Sequence, residues 1–415
     1  MSELLYWVWL SRMQKIKSSV KYKALQHFGS PKNLFFADLG EIRRLDWLQP
    51  FEKRSFADRT TGPAYEILEK CTKEGIDVVT LQDAKYPERL GEIYDPPLLL
   101  YVKGRLPVMD EEAAVAIVGT RKCSPYGKRI AEKLGYEISR GGGLIVSGLA
   151  AGIDTEGAVG ALQAGAPVVG VLGCGIDVVY PRSNARLYAD ITQVGALVTE
   201  YPPGTEPFKM NFPQRNRIIS GLSESVVVVE APKKSGALIT AGLALEQGRD
   251  VFAVPGNVDA YNSQGCNQLL SEGAIYARDA VDLLRPLADR FPAKIKLGRA
   301  ADAKYLTVAE PAAAPDLQDG FEEPDAVKNE RPAKKIIDKG RDKSYIDLKE
   351  QLENLSEDEL AVVKALSKTP THVDDVIAAA GIPASRTMAA LTMLTIRGHV
   401  AEHTGKRFSL IIIQK

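Results

Sequence analysis

Hydrophobic and polar positions change their period several times along the chain. Over residues 1–75, Leu4, Leu5, Val8 and Trp9, and then Ala24, Leu25 and Phe28, recur at the spacing of one buried helical face. Gly29-Ser30-Pro31 interrupts that pattern, Ser30 and Asp38 occupy N-cap positions, and Leu39–Leu48 reads as a further short helix. Short helices joined by glycine turns describe a SAM-like or helix-hairpin-helix-like module, either a structural cap or a nucleic-acid contact. From 76 to 111 the pattern shortens to strands and turns, I-D-V-V-T, Y-P-E-R-L and D-P-P-L-L-L-Y-V-K-G. Tandem prolines oppose a helix there, so the segment reads as an extended lead-in or an added sheet edge.

Residues 112–288 alternate apolar runs with amphipathic ones. The runs Ala114–Val118, Leu144–Ser147, Pro167–Leu172, Ala196–Thr199, Ser225–Glu230 and Asp250–Val254 predict strands. Tyr126–Ser139, Thr155–Ala164, Asn184–Ile191 and Ala237–Gln247 predict the helices between them. Strands without a polar face, separated by helices, indicate a mostly parallel sheet covered on both sides, an α/β Rossmann-like domain. Ligands of such a sheet bind at the carboxyl ends of its strands. Glycine-rich turns follow four of these strands, G-T-R-K-C-S, S-G-L-A-A-G-I-D, G-C-G-I-D-V-V-Y-P-R-S-N and E-A-P-K-K-S-G-A-L-I-T. Each leads toward a helix N-terminus, and Arg121, Lys122, Arg182, Lys233 and Lys234 add charge to the same rim. An extended anion fits this arrangement, although glycines also serve tight strand-to-helix turns, and Asp154 reads equally as a helix cap.

Residues 289–345 are rich in Ala, Pro, Lys, Asp and Glu and read as a flexible linker. Residues 346–415 resume a folded pattern. Ser356 and Glu359 form a capping-box signal, His372–Ala380 and Ala384–Arg397 predict two more helices, and Val400–Ile412 predicts a two-stranded wing around Thr404-Gly405. Together these predict a winged helix. Its third helix carries Arg386 and Arg397 and its wing Lys406 and Arg407, which leaves DNA contact and protein contact both open.

Composition narrows the function. The 415 residues are 45% hydrophobic and 26% charged, with Lys+Arg and Asp+Glu at 53 each, so any anion site must be local. Cys71, Cys123, Cys174 and Cys266 are far apart and predict reduced thiols in a cytoplasmic protein. The histidines, His27, His372, His399 and His403, all lie outside the central domain, which argues against a metal site or a histidine base there. The start, M-S-E-L-L-Y-W-V-W-L, lacks a cationic region and a cleavage site and reads as an amphipathic helix. Later stretches fall short of the roughly 18–20 apolar residues of a membrane span.

The densest candidate chemistry is Pro207–Ser223, P-F-K-M-N-F-P-Q-R-N-R-I-I-S-G-L-S, read as an irregular segment ahead of a strand. Lys209, Arg215 and Arg217 beside Gln214 and Asn216 suit phosphate oxygens and sugar or base edges. The absence of G-x-x-x-x-G-K-[ST] argues against a P-loop ATPase, and the first turn lacks the G-x-G-x-x-G of dinucleotide folds. A nucleotide hydrolase using Asp154, Glu200 or Glu230 as base remains an alternative.

Four motifs carry a family resemblance: A-I-V-G-T-R at 116–121, S-G-L-A-A-G-I-D at 147–154, F-P-Q-R-N-R-I-I-S-G-L-S at 212–223 and S-G-A-L-I-T-A-G-L-A-L-E-Q-G-R-D-V-F-A-V-P-G at 235–256. In that order they resemble the DNA-processing protein A family (DprA, also called Smf), over nearly the whole chain except the linker. The resemblance implies a homodimer, without cofactor or metal, that binds single-stranded DNA, protects it during natural transformation and loads the RecA recombinase. It implies DNA contacts at Arg121, Ser147, Gly148, Gly152, Arg182, Lys209, Arg215, Asn216 and Arg217. Tyr180, Tyr201, Phe208 and Phe212 lie near these positions without an assigned role. The family also resembles nucleotide hydrolases of the lysine-decarboxylase-like type, but their P-G-G-x-G-T-x-x-E signature is replaced here by S-G-A-L-I-T-A-G, without the glutamate. A protein adaptor working through the winged helix is the third reading.

Overall fold

Apolar runs without a polar face become the inner strands of a nine-stranded sheet. In chain order these are β1 (Asp77–Thr80), β2 (Leu99–Gly104), β3 (Ala114–Val118), β4 (Leu144–Ser147), β5 (Val168–Val171), β6 (Ala196–Thr199), β7 (Ser225–Val228), β8 (Asp250–Ala253) and β9 (Ile275–Tyr276). Their spatial order is β1-β2-β6-β5-β4-β3-β7-β8-β9. Neighbours from β6 through β9 pair parallel, and every residue of β3 to β7 is buried, as a sheet covered on both faces requires. Successive side chains point to opposite faces: Val115 and Ile117 enter one core, Ala114, Ala116 and Val118 the other. β2 pairs antiparallel with β6, and β1 with β2, so this part of the 76–111 segment forms an added sheet edge.

The computed structural model describes residues 3–13, 15–303, 356–366, 370–396, 400–403 and 406–410, divided between units 1–315 and 316–415. The N-terminal helices are α1 (Leu4–Ser11), α2 (Ser18–Phe28), α3 (Pro31–Phe36), α4 (Leu39–Arg44), α5 (Pro50–Ala57) and α6 (Gly62–Glu74). Ser30 caps α3 and Asp38 caps α4 through their side-chain oxygens. α1 is not amphipathic, since Leu5 to Leu10 are all buried. It lies inside the first core, where Trp9, Leu34 and Phe56 belong to the same cluster as Ile117 and Phe252. The Y-P-E-R-L segment is not a strand either. It holds the short helix α7 (Glu88–Gly91), whose first amides donate to the Asp110 carboxylate, a tertiary partner invisible to local pattern.

The sheet is covered by α8 (Pro125–Arg140), α9 (Ile153–Gln163), α10 (Ala185–Val194), α11 (Asn211–Gly221), α12 (Gly236–Glu246), α13 (Gln264–Ser271) and α14 (Ala280–Leu284). α11 occupies part of the stretch expected to be irregular. Pro213 falls in its first turn, where a missing N–H breaks no intrahelical bond, so the proline does not oppose the helix. The linker boundary also shifts. Residues 291–303 pack on the sheet domain, with Ile295 and Ala300 buried, α15 (Leu297–Ala301) formed, and Lys296 N–H donating to Gly141 O at 2.8 Å. The remainder of the expected linker, 304–345, lies outside the described residues, as do Arg397, His399, Thr404 and Gly405.

In the second unit the Ser356–Glu359 capping box opens α16 (Glu357–Ala365), followed by α17 (Val373–Ala380) and α18 (Ala384–Ile396). β10 (Thr371–His372), β11 (Val400–His403) and β12 (Arg407–Leu410) form a three-stranded sheet in the order β10-β12-β11. This is a winged helix with one more strand than the wing predicted from sequence. Arg386 on α18 is paired with Asp358, while Met388 and Met393 are exposed on the same helix.

α8 and α9 approach closely because glycines face backbone across the contact. A Cβ at Gly160 would meet Glu132 O, and one at Gly135 would meet Gly157 O. Alanine favours an isolated helix over glycine by about 1 kcal/mol. Overpacking costs about 1–3 kcal/mol, and a backbone oxygen cannot rotate away. Gly160→Ala is therefore expected to lower the urea midpoint; an unchanged or raised midpoint would show that the two helices separate freely.

Candidate nucleic-acid interface

The direction of winding reverses at β3, with β4 on one side and β7 on the other. The chain leaving β3 and the chain leaving β7 diverge, and a cleft of about 600 Å³ opens between them. Gly119, Thr120 and Arg121 form one wall, Lys234 and Ser235 the opposite one. Lys209, Phe212, Arg215 and Asn216, carried on α11 or just before it, close the third side, with Asp154 of α9 below.

Helix geometry separates the arginines that the sequence places together. Residues two apart on an α-helix point about 200° apart. Arg215 accordingly faces the cleft and Arg217 faces away from it. Arg217 Nη1 and Nη2 donate to Glu200 at 3.0 and 2.7 Å, and its Nε donates to Asp95 at 3.3 Å. Burial works against this charge, but Glu200 and Asp95 outweigh it and raise the Arg217 pKa. The structure places Arg217, expected from sequence as a DNA contact, outside the cleft lining as a buried anchor for α11.

Arg215 is 4% exposed and belongs to the cleft floor. Its Nη1 donates to Gly148 O at 2.6 Å and also to Val171 O, while its buried Nε has no hydrogen-bond partner among the described residues. Burial lowers its pKa, opposed by Asp154. Asp154 is itself raised to about 6 by burial, an effect resisted by Arg215, by backbone N–H groups of Ala150 and Gly119, and by Arg121.

Two aromatic rings left without a role in the sequence reading line the cleft. Phe212 lies 5.3 Å from Tyr180 between ring centroids, with the Arg121 guanidinium 5.3 Å and that of Arg215 5.9 Å from its ring. Phe212 precedes Arg215 by three residues, the spacing of a shared helical face, so recognising α11 is what identifies it. Tyr201 is buried with its hydroxyl donating to Gln214, and Phe208 is exposed and does not line the cleft, although its neighbours Pro207 and Lys209 do.

The remaining expected residues separate into walls and supports. Arg121 and Lys209 are exposed in the cleft, with Asn216 half-buried there. Gly148 borders a smaller adjoining recess of about 50 Å³. Ser147 is fully buried: its hydroxyl donates to Asp154 O and accepts from Leu149 N–H. It supports a loop in which Leu149 has φ 51°, a left-handed conformation costing an L-residue about 1–2 kcal/mol. Gly152 has φ 85° and packs on the Thr120 and Arg121 carbonyls, where a Cβ would collide. Ser147 and Gly152 therefore shape the cleft from behind. Arg182 is exposed but stands outside the cleft walls, as do Lys122 and Lys233. Of the three carboxylates considered as bases, Glu200 is paired with Arg217 and Glu230 accepts from Ser124, leaving Asp154 in the cleft. Among the described residues no group of three or more His, Cys, Asp and Glu could hold a metal ion.

These features define a Rossmann-like α/β protein with a cationic, aromatic-lined cleft at its switch point and a winged helix in a second unit. Residues 77–288 match the DNA recombination-mediator protein A family, and residues 347–406 match the DprA winged helix domain. The chain belongs to the DNA recombination-mediator protein A family, also known as DprA/Smf. It is 32% identical over 418 residues to Protein Smf of Synechocystis sp., covering 98% of each chain. It is 42% identical over 224 residues to DNA processing protein DprA of Bacillus subtilis, covering 54% of this chain and 75% of that one. The crystal structure of DNA processing protein A from Streptococcus pneumoniae matches 69% of this chain and 98% of its own, at 36% identity and a TM-score of 0.59.

Removing one partner of a buried ion pair costs about 3–5 kcal/mol, because the other charge is left uncompensated. Arg217→Ala is expected to lose stability of that order in urea denaturation, and Arg217→Leu combined with Glu200→Leu to lose less. Arg121→Ala, at an exposed position, should change stability by no more than about 0.5 kcal/mol. Equal losses for Arg121→Ala and Arg217→Ala would contradict the division into wall and anchor.

Proposed function

We propose that the protein binds single-stranded DNA without regard to base sequence, protects incoming DNA in natural transformation and loads the RecA recombinase onto it. The observation that carries the reading is the placement of Arg121, Lys209 and Lys234 around the Phe212–Tyr180 pair. Cations meet phosphates, whereas an aromatic face accepts any unstacked base. Bases of a duplex are stacked and cannot reach such a face, so the arrangement favours single strands. The formal net charge of zero concentrates attraction in the cleft rather than over the whole surface. Family membership supports the recombinase, a homodimeric state and a cytoplasmic site of action. Among the described residues no single helix is long and apolar enough to cross a membrane.

Asp154 supports a second reading, a nucleotide hydrolase, since its raised pKa and cleft position suit a general base. The two readings separate on one variant. Hydrolysis predicts nucleotide turnover that Asp154→Asn abolishes; strand binding predicts no turnover and affinity that Asp154→Asn preserves or improves.

Arg121→Ala is expected to weaken binding to all single-stranded oligonucleotides alike and to reduce the slope of log affinity against log salt by about 1. Fluorescence anisotropy at several salt concentrations measures both, and an unchanged slope would remove Arg121 from the phosphate path. Affinity should also depend on pH. Asp154 becomes neutral as pH falls through about 6, removing a negative charge from the cleft. Binding of a polyanion therefore tightens from pH 8 to pH about 5.5, and Asp154→Asn flattens that profile; a profile that persists in Asp154→Asn would assign the titration elsewhere.

A further inference from the structure

A second recess, of about 710 Å³, opens beside the cleft. Its walls include Ser124 and Tyr126 at the start of α8, Glu230 beyond β7, and Asn257, Tyr261 and Asn262 in the segment after β8. That segment is fastened to the loops that border the cleft. Asn262 Nδ2 donates to Lys122 O at 2.9 Å, next to Arg121, and its carbonyl accepts from Ala231 N–H at 2.7 Å, next to Pro232. Cleft and recess thus share the two loops leaving β3 and β7.

The chemistry of the recess differs from that of the cleft. Neither lysine nor arginine stands among the described residues of its walls. The amino end of α8, which would otherwise attract an anion, is occupied by a carboxylate: Glu230 accepts from Ser124 N–H at 2.8 Å and from Ser124 Oγ–H at 2.5 Å. A phosphate at this place would face a fixed negative charge. A neutral planar group would not, and it would meet Tyr261, 70% exposed, Tyr126, 38% exposed, and the exposed Asn257. Tyrosine rings beside an exposed side-chain amide are surroundings in which a nucleobase is stacked and its polar edge met.

We propose that this recess receives a nucleobase from the same strand whose phosphates lie in the cleft, with Tyr261 as its stacking platform. The inference rests on the reading of the cleft as a single-stranded DNA site. The strand would then be gripped by alternating chemistry, cations at the β3–β7 opening and an aromatic surface without cations in the recess.

The test uses the full chain and labelled oligothymidylates of increasing length, with wild type, Tyr261→Ala, Tyr261→Phe and Arg121→Ala. Wild-type affinity should step up once the oligomer is long enough to reach from cleft to recess. Tyr261→Ala should diminish that step by about tenfold, the scale of one lost base–aromatic stack. Tyr261→Phe should retain the step, and neither variant should alter the salt slope, because no cation is removed. Tyr261→Ala binding that overlays wild type at every length overturns the proposal while leaving the cleft reading, which Arg121→Ala tests. Absence of wild-type binding at every length overturns both. A changed oligomeric state of Tyr261→Ala in sedimentation would assign the recess to contact between copies of the chain and also overturn it.

Discussion

The ion pair between Arg217 and Glu200, supplemented by Asp95, is the constraint on which the cleft depends. α11 carries five of the cleft's lining residues, Phe212, Pro213, Arg215, Asn216 and Ile219, and its rotation about its own axis decides where each of them points. A helix packed only by Ile218 and Ile219 could tolerate small rotations. A bidentate contact between guanidinium and carboxylate cannot, because its two hydrogen bonds fix both distance and angle. Such a pair contributes less to net stability than its geometry suggests, since both charges are desolvated. Its value lies in orientation.

Arg215 shows the other use of a buried guanidinium. Two backbone carbonyls hold its guanidinium in the floor of the cleft, where the nearby Asp154 carboxylate offsets part of the cost of burial and the buried Nε has no hydrogen-bond partner among the described residues. The exposed Arg121 and Lys209 on the cleft's walls are free to adjust their positions where the buried Arg215 is not. A rigid floor with adaptable walls suits recognition of a polymer whose charge spacing is regular and whose bases are not.

Much of this was legible in the sequence, and what was not shares one cause. The inner strands could be placed because strands buried on both faces appear as unbroken apolar runs, and the cationic loops because glycine-rich turns mark strand ends. α7 could not, since Asp110 supplies its capping acceptors from more than twenty residues away in sequence. Residues 291–303 looked like linker because their Ala- and Lys-rich composition hides the few positions, Ile295 and Ala300, that are buried. The decisive miss was α11. Reading it as irregular put Arg215 and Arg217 on one surface, where the helix puts them on opposite ones. Residue types were readable throughout; direction was not, because direction follows from secondary structure before chemistry.

The single hydrophobic cluster that contains both α1 and one face of the sheet bears on how the molecule moves. Trp9, Leu34 and Phe56 are in it together with Ile117 and Phe252, and Lys21 of α2 is pushed down to about 8 by burial despite the opposing influence of Glu200 and Asp95. Helices bound to the sheet in this way cannot swing as a lid, because opening them would wet the sheet's own face. Amide protons of α1 and of β3 should therefore exchange with solvent in one cooperative opening, not as a loose appendage followed by a rigid body. The N-terminal helices α1 to α6 contribute no residue to the cleft's lining, so they restrain it only through the sheet.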